Sequence, residues 1–179
     1  MENIFLSTME HRPFDWNSLG DIKEGRGNLG EDMPVIVYRL MQLTMRDVLS
    51  KTYGKEAANH IFRESGRLAG VEFAKNVLDT KVDFDTFVAN LAKALSELKI
   101  GIMRLEMISP DADVIVLTVG EDLDCSGLPV TGEVACHYDE GFIAGILDVY
   151  TGKVYTVREV DCWATGDRTC RFKCSVENN

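Results

Sequence analysis

The residues best equipped for chemistry in this chain are its cysteines. Four of the five lie in the last 44 residues, as Cys136, then Glu159-x-x-Cys162, then Cys170 after seven intervening residues, and Cys174. Thiolates are strong zinc ligands, zinc also accepts carboxylate oxygen, and a structural site takes four such donors in a tetrahedron. On a strand rising about 3.3 Å per residue, Cys170 and Cys174 share a face but stand about 13 Å apart. Ligands of one ion with bonds of about 2.3 Å lie within about 4 Å of one another. Cys170 and Cys174 therefore cannot bind the same ion on a regular strand, and Cys174 is expected to point into the core beside Phe172.

Cys170 and Cys162 can face each other across a hairpin, and Cys136 would tie a helix to that hairpin. The fourth donor is open on spacing alone. Glu159 needs a bulge or turn, because residues 159 and 162 of a regular strand point to opposite faces. His137 is the rival, although neighbours at 136 and 137 on a helix seldom converge on one ion. The plain alternative for each cysteine is a small buried hydrophobe. Five cysteines, an odd count, with no secretory signal at Met1-Glu-Asn-Ile-Phe-Leu point to reduced thiols or metal ligands rather than a disulfide framework.

Other chemistries find little support. No P-loop and no Gly-x-Gly-x-x-Gly motif offers a phosphate cradle, and Ser65 and Ser126 lack a Gly-x-Ser-x-Gly context. Cys125 lies in the acidic run Glu121-Asp-Leu-Asp-Cys, whose carboxylates disfavour a thiolate, so it is expected to be a poor nucleophile. Asp113, Glu121, Asp122 and Asp124 have no EF-hand spacing and read as a solvated loop. His60 reads as an exposed helix residue rather than a haem ligand, and Trp163 as a cover over the metal. No catalytic set is legible. A net charge of -10 and a pI near 4.8 exclude a general nucleic-acid binder. No run of eighteen apolar residues suggests a membrane span, so a cytoplasmic protein is expected.

The elements that must position these residues follow from periodicity. Residues 1–32 read as an irregular lead-in anchored by Phe14, Trp16 and Leu19, and residues 33–179 as one domain. Pro34 suits a helix start, and Val35 to about Lys51 is apolar on most sides, the mark of a central helix or a subunit contact. A second helix passes through Ala58, Phe62, Leu68, Phe73 and Val77. Gly66 and Gly70 interrupt it at about 1 kcal/mol each against alanine, a cost that suggests a close helix crossing. A third helix from Phe84 to Leu98 has Asp83 as its cap. Ile102–Ile108 and Val114–Val119 read as a hairpin around Ser109-Pro-Asp-Ala-Asp113. The loop Gly120–Gly132 leads to a helix over 133–150, then strands over 153–160 and 168–176. Helices followed by hairpin, helix and hairpin define an α+β fold with an antiparallel sheet.

At these residues the sequence resembles the 4-vinyl reductase domain family. Cys136-x4-Gly141-Phe-Ile-Ala-Gly145 and Glu159-x-x-Cys162-x-x-x-Gly166-x-x-x-Cys170-x-Phe172 match its C-terminal signature. Gly54-x-x-Ala57 and Gly66-Arg67-x-x-Gly70 resemble its helical half. The resemblance covers about residues 30 to 176. It implies structural Zn2+ held by Cys136, Glu159, Cys162 and Cys170, choosing Glu159 over His137 and leaving Cys174 out. It also implies a cavity for an apolar ligand between helices and sheet, and a homodimer.

Phenol-sensing members use a pocket His and Trp. Here Phe87, Met103, Leu105, Met107, Ile115, Leu117 and Phe142 are the expected lining, which suits a more purely apolar ligand. The expected function is a stand-alone zinc-containing sensor or binding domain for a small hydrophobic or aromatic molecule. The alternatives are an enzyme subunit or carrier in tetrapyrrole or aromatic metabolism, and an adaptor that buries its apolar helix in a partner.

Overall fold

The computed structural model describes residues 13–177. The chain divides into two compact units, Met1–Asp32 and Met33–Asn179. In the first, Asp15 caps a 3-10 turn at Trp16–Leu19 and Asp21 caps the single helical turn α1, Ile22–Gly25. Phe14 and Leu19 are exposed and Trp16 is half-buried, so the expected apolar anchors stay near the surface.

The second unit opens with α2, Val35–Tyr53, directly after Pro34. A single residue, Gly54 at φ +88, turns the chain into α3, Lys55–Val77. That backbone angle is one only glycine adopts without strain. Asp83 accepts the Thr86 N–H at 3.0 Å and starts α4, Phe84–Glu97. Strands β1 (Ile102–Ile108) and β2 (Val114–Gly120) form an antiparallel hairpin. Helix α5, His137–Thr151, precedes β3 (Tyr155–Asp161) and β4 (Cys170–Val176). The sheet is antiparallel in the order β1-β2-β4-β3. This is the α+β arrangement that the periodicity implies.

One sheet face carries the core. Ile115, Leu117 and Val119 of β2 are buried on it, as are Cys170, Phe172 and Cys174 of β4 and Tyr155, Val157 and Glu159 of β3. The cross-strand register sets Leu117 opposite Phe172 and Phe172 opposite Glu159, with Val119 opposite Cys170 two residues along. A polar and sulfur-bearing end of the buried face is thereby continuous with its apolar body.

The α3–α5 pair is closer than side chains normally permit. A Cβ on Gly66 would lie 2.0 Å from the Tyr138 carbonyl oxygen, and one on Gly70 2.1 Å from that of Phe142. Reciprocally, a Cβ on Gly141 would lie 1.9 Å from the Arg63 oxygen, and one on Gly145 2.3 Å from that of Arg67. Two Gly-x3-Gly pairs thus put the helix backbones in direct contact. Ion pairs flank the crossing, from Arg63 to Glu140 and from Arg67 to Asp148.

Candidate metal centre

The sulfurs of Cys125, Cys136, Cys162 and Cys170 and a carboxylate oxygen of Glu159 all lie within 4.8 Å of one another, and all five residues are buried. Cys136 Sγ is 4.0 Å from Cys162 Sγ and 3.8 Å from Cys170 Sγ, while Cys125 Sγ is 3.1 Å from Cys170 Sγ. The first two separations are those of adjacent corners of a tetrahedron with metal–sulfur bonds of about 2.3 Å.

Local structure explains how each donor arrives. The β3–β4 register shifts between Glu159 and Asp161, so the face alternation breaks just where Glu159 and Cys162 must both turn inward. Cys162 then caps a 3-10 turn at Trp163–Thr165. Its carbonyl accepts Thr165 N–H and Asp167 N–H, each at 3.0 Å, and its own N–H donates to Thr165 Oγ1 at 3.1 Å. Cys170 is the first residue of β4. Cys136 is the residue before α5 rather than one turn inside it, because residues 133–136 stay outside the helix. Thr131 and Gly132 N–H both donate to the Ala164 carbonyl and hold that approach in place.

The surroundings fix the donors further. Cys136 N–H donates to Glu159 Oε2 at 3.0 Å. Glu140 accepts the Glu159 N–H at 2.9 Å and pairs with Arg63, so α3, α5 and β3 meet behind the cluster. Such outer contacts orient metal ligands and tune their basicity. Glu159 Oε1 is buried and has no hydrogen-bond partner, a costly state for a carboxylate that a bound cation would relieve. Burial, with the Cys162 thiol beside it, pushes the Glu159 carboxyl up to about 8. Hydrogen bonding first to Cys125, and then to Cys162 and Cys170, raises the Cys136 thiol, whereas the same kind of contacts lower that of Cys162. Crowded thiols cannot all ionise together without a cation among them.

Cys125 is the residue that sequence reasoning placed elsewhere. It is fully buried, and Asp122 and Asp124 beside it are only 3% exposed each, so the expected solvated loop is a folded turn. Asp122 Oδ1 accepts the N–H groups of Asp124 and Cys125. From α2, Arg39 donates to the carbonyls of Leu123 and Ser126, and the Tyr38 hydroxyl donates to Asp124 Oδ1 at 2.7 Å. The signal in the sequence is the Asp-x-Asp-Cys turn chemistry itself, since an aspartate that caps its own loop need not be solvated. Asp122, Cys136 and Asp139 form a second donor group next to the first.

The other candidates fall outside the cluster. Cys174 is buried in the core opposite Ile115 and Val157. His137 turns Nδ1 to Glu140 and Arg63, and the His60 side chain is exposed. Trp163 donates its indole N–H to the Leu128 carbonyl at 3.0 Å, pinning the loop over the cysteine turn. Of the expected pocket residues, Phe87, Met103, Ile115 and Leu117 are packed core, and Leu105 and Phe142 are half-buried. Phe87 stacks on Tyr150, Phe142 packs on Phe73 of α3, and Met107 is 47% exposed. A register shift between Leu105 and Met107 breaks the alternation that would have put Met107 inside. The seven do not line the cavities described below.

A buried cysteine cluster between a helix pair and the end of an antiparallel sheet defines the class: an α+β domain with a metal-competent centre. The chain belongs to the vinyl-4-reductase family, whose domain model matches residues 115–176. An uncharacterised protein of Methanocaldococcus jannaschii is 29% identical over 153 residues, covering 84% of this chain and 83% of that one. The phenol-responsive sensory domain of the transcription activator PoxR, solved with phenol, superposes with a TM-score of 0.62 at 16% identity. That match covers 80% of this chain and 75% of the other. A vinyl-4-reductase family protein from Methanocaldococcus jannaschii gives a TM-score of 0.58 at 16% identity over 93% and 99% of the two chains. At these identities the structural likeness is one of fold. Among the described residues no helix is long and apolar enough to cross a membrane.

Proposed function

We propose that this chain is a zinc-stapled, cytoplasmic binding or sensor module for a small hydrophobic or aromatic molecule, working as a homodimer. The buried convergence of four sulfurs and Glu159, with one carboxylate oxygen lacking any partner, carries the metal half of this reading. Cys136, Cys162 and Cys170 take three positions and Glu159 the fourth, with Cys125 as a neutral thiol against Cys170. Zinc in such a set has no open position for water, so its contribution is to lock α5 to the β3–β4 ribbon. The ligand half draws support from the shared fold of a sensory domain solved with phenol. The dimer draws support from α2, where Ile36 and Leu40 are 74% and 67% exposed.

Elemental analysis of the purified protein is expected to find one zinc per chain. Cys170→Ser should lose it and lose several kcal/mol of stability, a fall in melting on the order of 10 °C or more. Metal-free protein that folds with unchanged melting refutes the centre. Glu159→Gln and Cys125→Ser decide the fourth position, since the variant that loses affinity names the ligand.

A further inference from the structure

Beside the cysteine centre, the loop strung between Cys125 and Cys136 forms one wall of a cavity of about 420 Å³ whose opposite walls come from α2 and α3. Its polar groups are unevenly employed. The donors are committed: Arg46 donates to Asn59 Oδ1 at 3.0 Å and to the Ala135 carbonyl at 2.9 Å while its guanidinium lies 4.4 Å over the Phe62 ring. Lys55 pairs with Glu133. The acceptors are not committed. Gln42, 5% exposed, has no partner for Oε1, and Asp124, 3% exposed, has none for Oδ2. Both side chains line the cavity.

An orphaned buried acceptor costs about 1–3 kcal/mol, and two facing one cavity are hard to account for as packing. Gln42 is also the single buried residue of α2, on a helix where apolar side chains are mostly left outside. The remaining wall is largely apolar, with Leu43, Leu128, Pro129 and Val134 among it.

We infer that this cavity is the ligand site, and that it takes a small molecule with an apolar body and a hydrogen-bond-donating, cationic amine head directed at Gln42 and Asp124. The charge preference comes from neighbours. Asp122 shares the turn with Asp124, so the head-group end is rich in carboxylate, and an anion would meet no uncommitted donor. The amide oxygen and the carboxylate oxygen supply two acceptors for one ammonium. The inference rests on the ligand-binding reading above and names its site and chemistry. It places the ligand between α2, α3 and the 126–135 loop, away from the sheet-facing residues expected from sequence.

The test is calorimetric titration of the full chain with four probes that share a phenyl body: phenethylamine, 2-phenylethanol, ethylbenzene and 3-phenylpropionate. Phenethylamine should bind at least about 10-fold tighter than the alcohol, and 3-phenylpropionate should give no heat. Gln42→Leu should weaken phenethylamine at least about 10-fold without lowering the melting temperature, because it removes an unpaired acceptor. Gln42→Met provides the same readout should the leucine variant fail to fold, and Gln42→Glu should bind the amine more tightly. Equal binding of ethylbenzene and amine, or amine binding indifferent to Gln42→Leu, overturns this assignment and leaves the apolar-ligand reading standing. No binding of any probe overturns both.

Discussion

Helix α3 has two very different neighbours. Against α5 it lies backbone to backbone, through four glycines whose missing side chains leave no room for a methyl group. Against α2 it leaves open space: one cavity of about 420 Å³ at the loop end and a second of about 320 Å³ lined by Met41, Met45, Ile61 and Phe62. Hydrophobicity does not account for the contrast, because both neighbours are rich in apolar side chains. Shape accounts for it. A close crossing needs small residues in register on both helices, and α2 contains neither glycine nor alanine. The interlocked pair holds Cys136 and, through Glu140, Glu159 in fixed relation, whereas the loosely packed helix lies beside the space where a ligand fits.

The largest test of this contrast is to add one carbon to the tight side. Gly141→Ala would put a methyl carbon 1.9 Å from the Arg63 carbonyl oxygen, a contact that only separation of the helices relieves. The expected cost is at the upper end for overpacking, about 3 kcal/mol, which lowers melting by on the order of 10 °C. Zinc content should fall with it, since Cys136 stands at the start of the displaced helix. An alanine variant that melts with the wild type would show that the two helices are not held as close as described. The matching change on the other flank, Gln42→Leu, should leave stability intact.

How much of this was legible in the sequence follows the same division. Gly66 and Gly70 signal a close crossing because glycine inside a long helix carries a cost that only contact offsets. Asp83, the hairpin around Ser109–Asp113 and the strand alternation around Phe172 each rest on local chemistry, and the structure keeps them. The convergence of Cys125 with the later cysteines was not legible. It depends on Tyr38 and Arg39 reaching from α2 across more than eighty residues to hold the turn, and no periodicity encodes that reach. The start of α5 slipped for a related reason, since residues 133–136 have helical composition but follow a loop pinned to Ala164. Met107 left the interior because a bulge shifted its register. Long-range hydrogen bonds and bulges are where pattern reading loses its footing.

The second test addresses the outer side of α2. Ile36, Leu40 and Val48 are all more than half exposed, an apolar surface that a second copy of the chain would cover. Leu40→Glu should weaken self-association by about 100-fold or more, read by sedimentation across a concentration series. Thermal stability of the dissociated chain should change by no more than about 0.5 kcal/mol, as for other surface substitutions. An unaltered sedimentation profile removes α2 as the dimer contact. A large fall in stability at low concentration would instead mean that α2 is held in place only by its partner.

The smallest expected effect sharpens how α2 is attached at all. With its flank hollow, the helix is tied to the cysteine loop by Arg39 and by the Tyr38 hydroxyl, which donates to Asp124 Oδ1. Tyr38→Phe keeps the ring and removes that one donor, leaving both oxygens of a buried carboxylate without a partner. The structural cost should be about 1 kcal/mol, a fall of roughly 2–4 °C. The same change should tighten phenethylamine binding, because Asp124 then has two acceptors to offer the ammonium where it had one. Lower stability with weaker amine binding would mean that Tyr38 positions Asp124 for the ligand rather than competing for it, and the looseness of α2 would then be a set geometry.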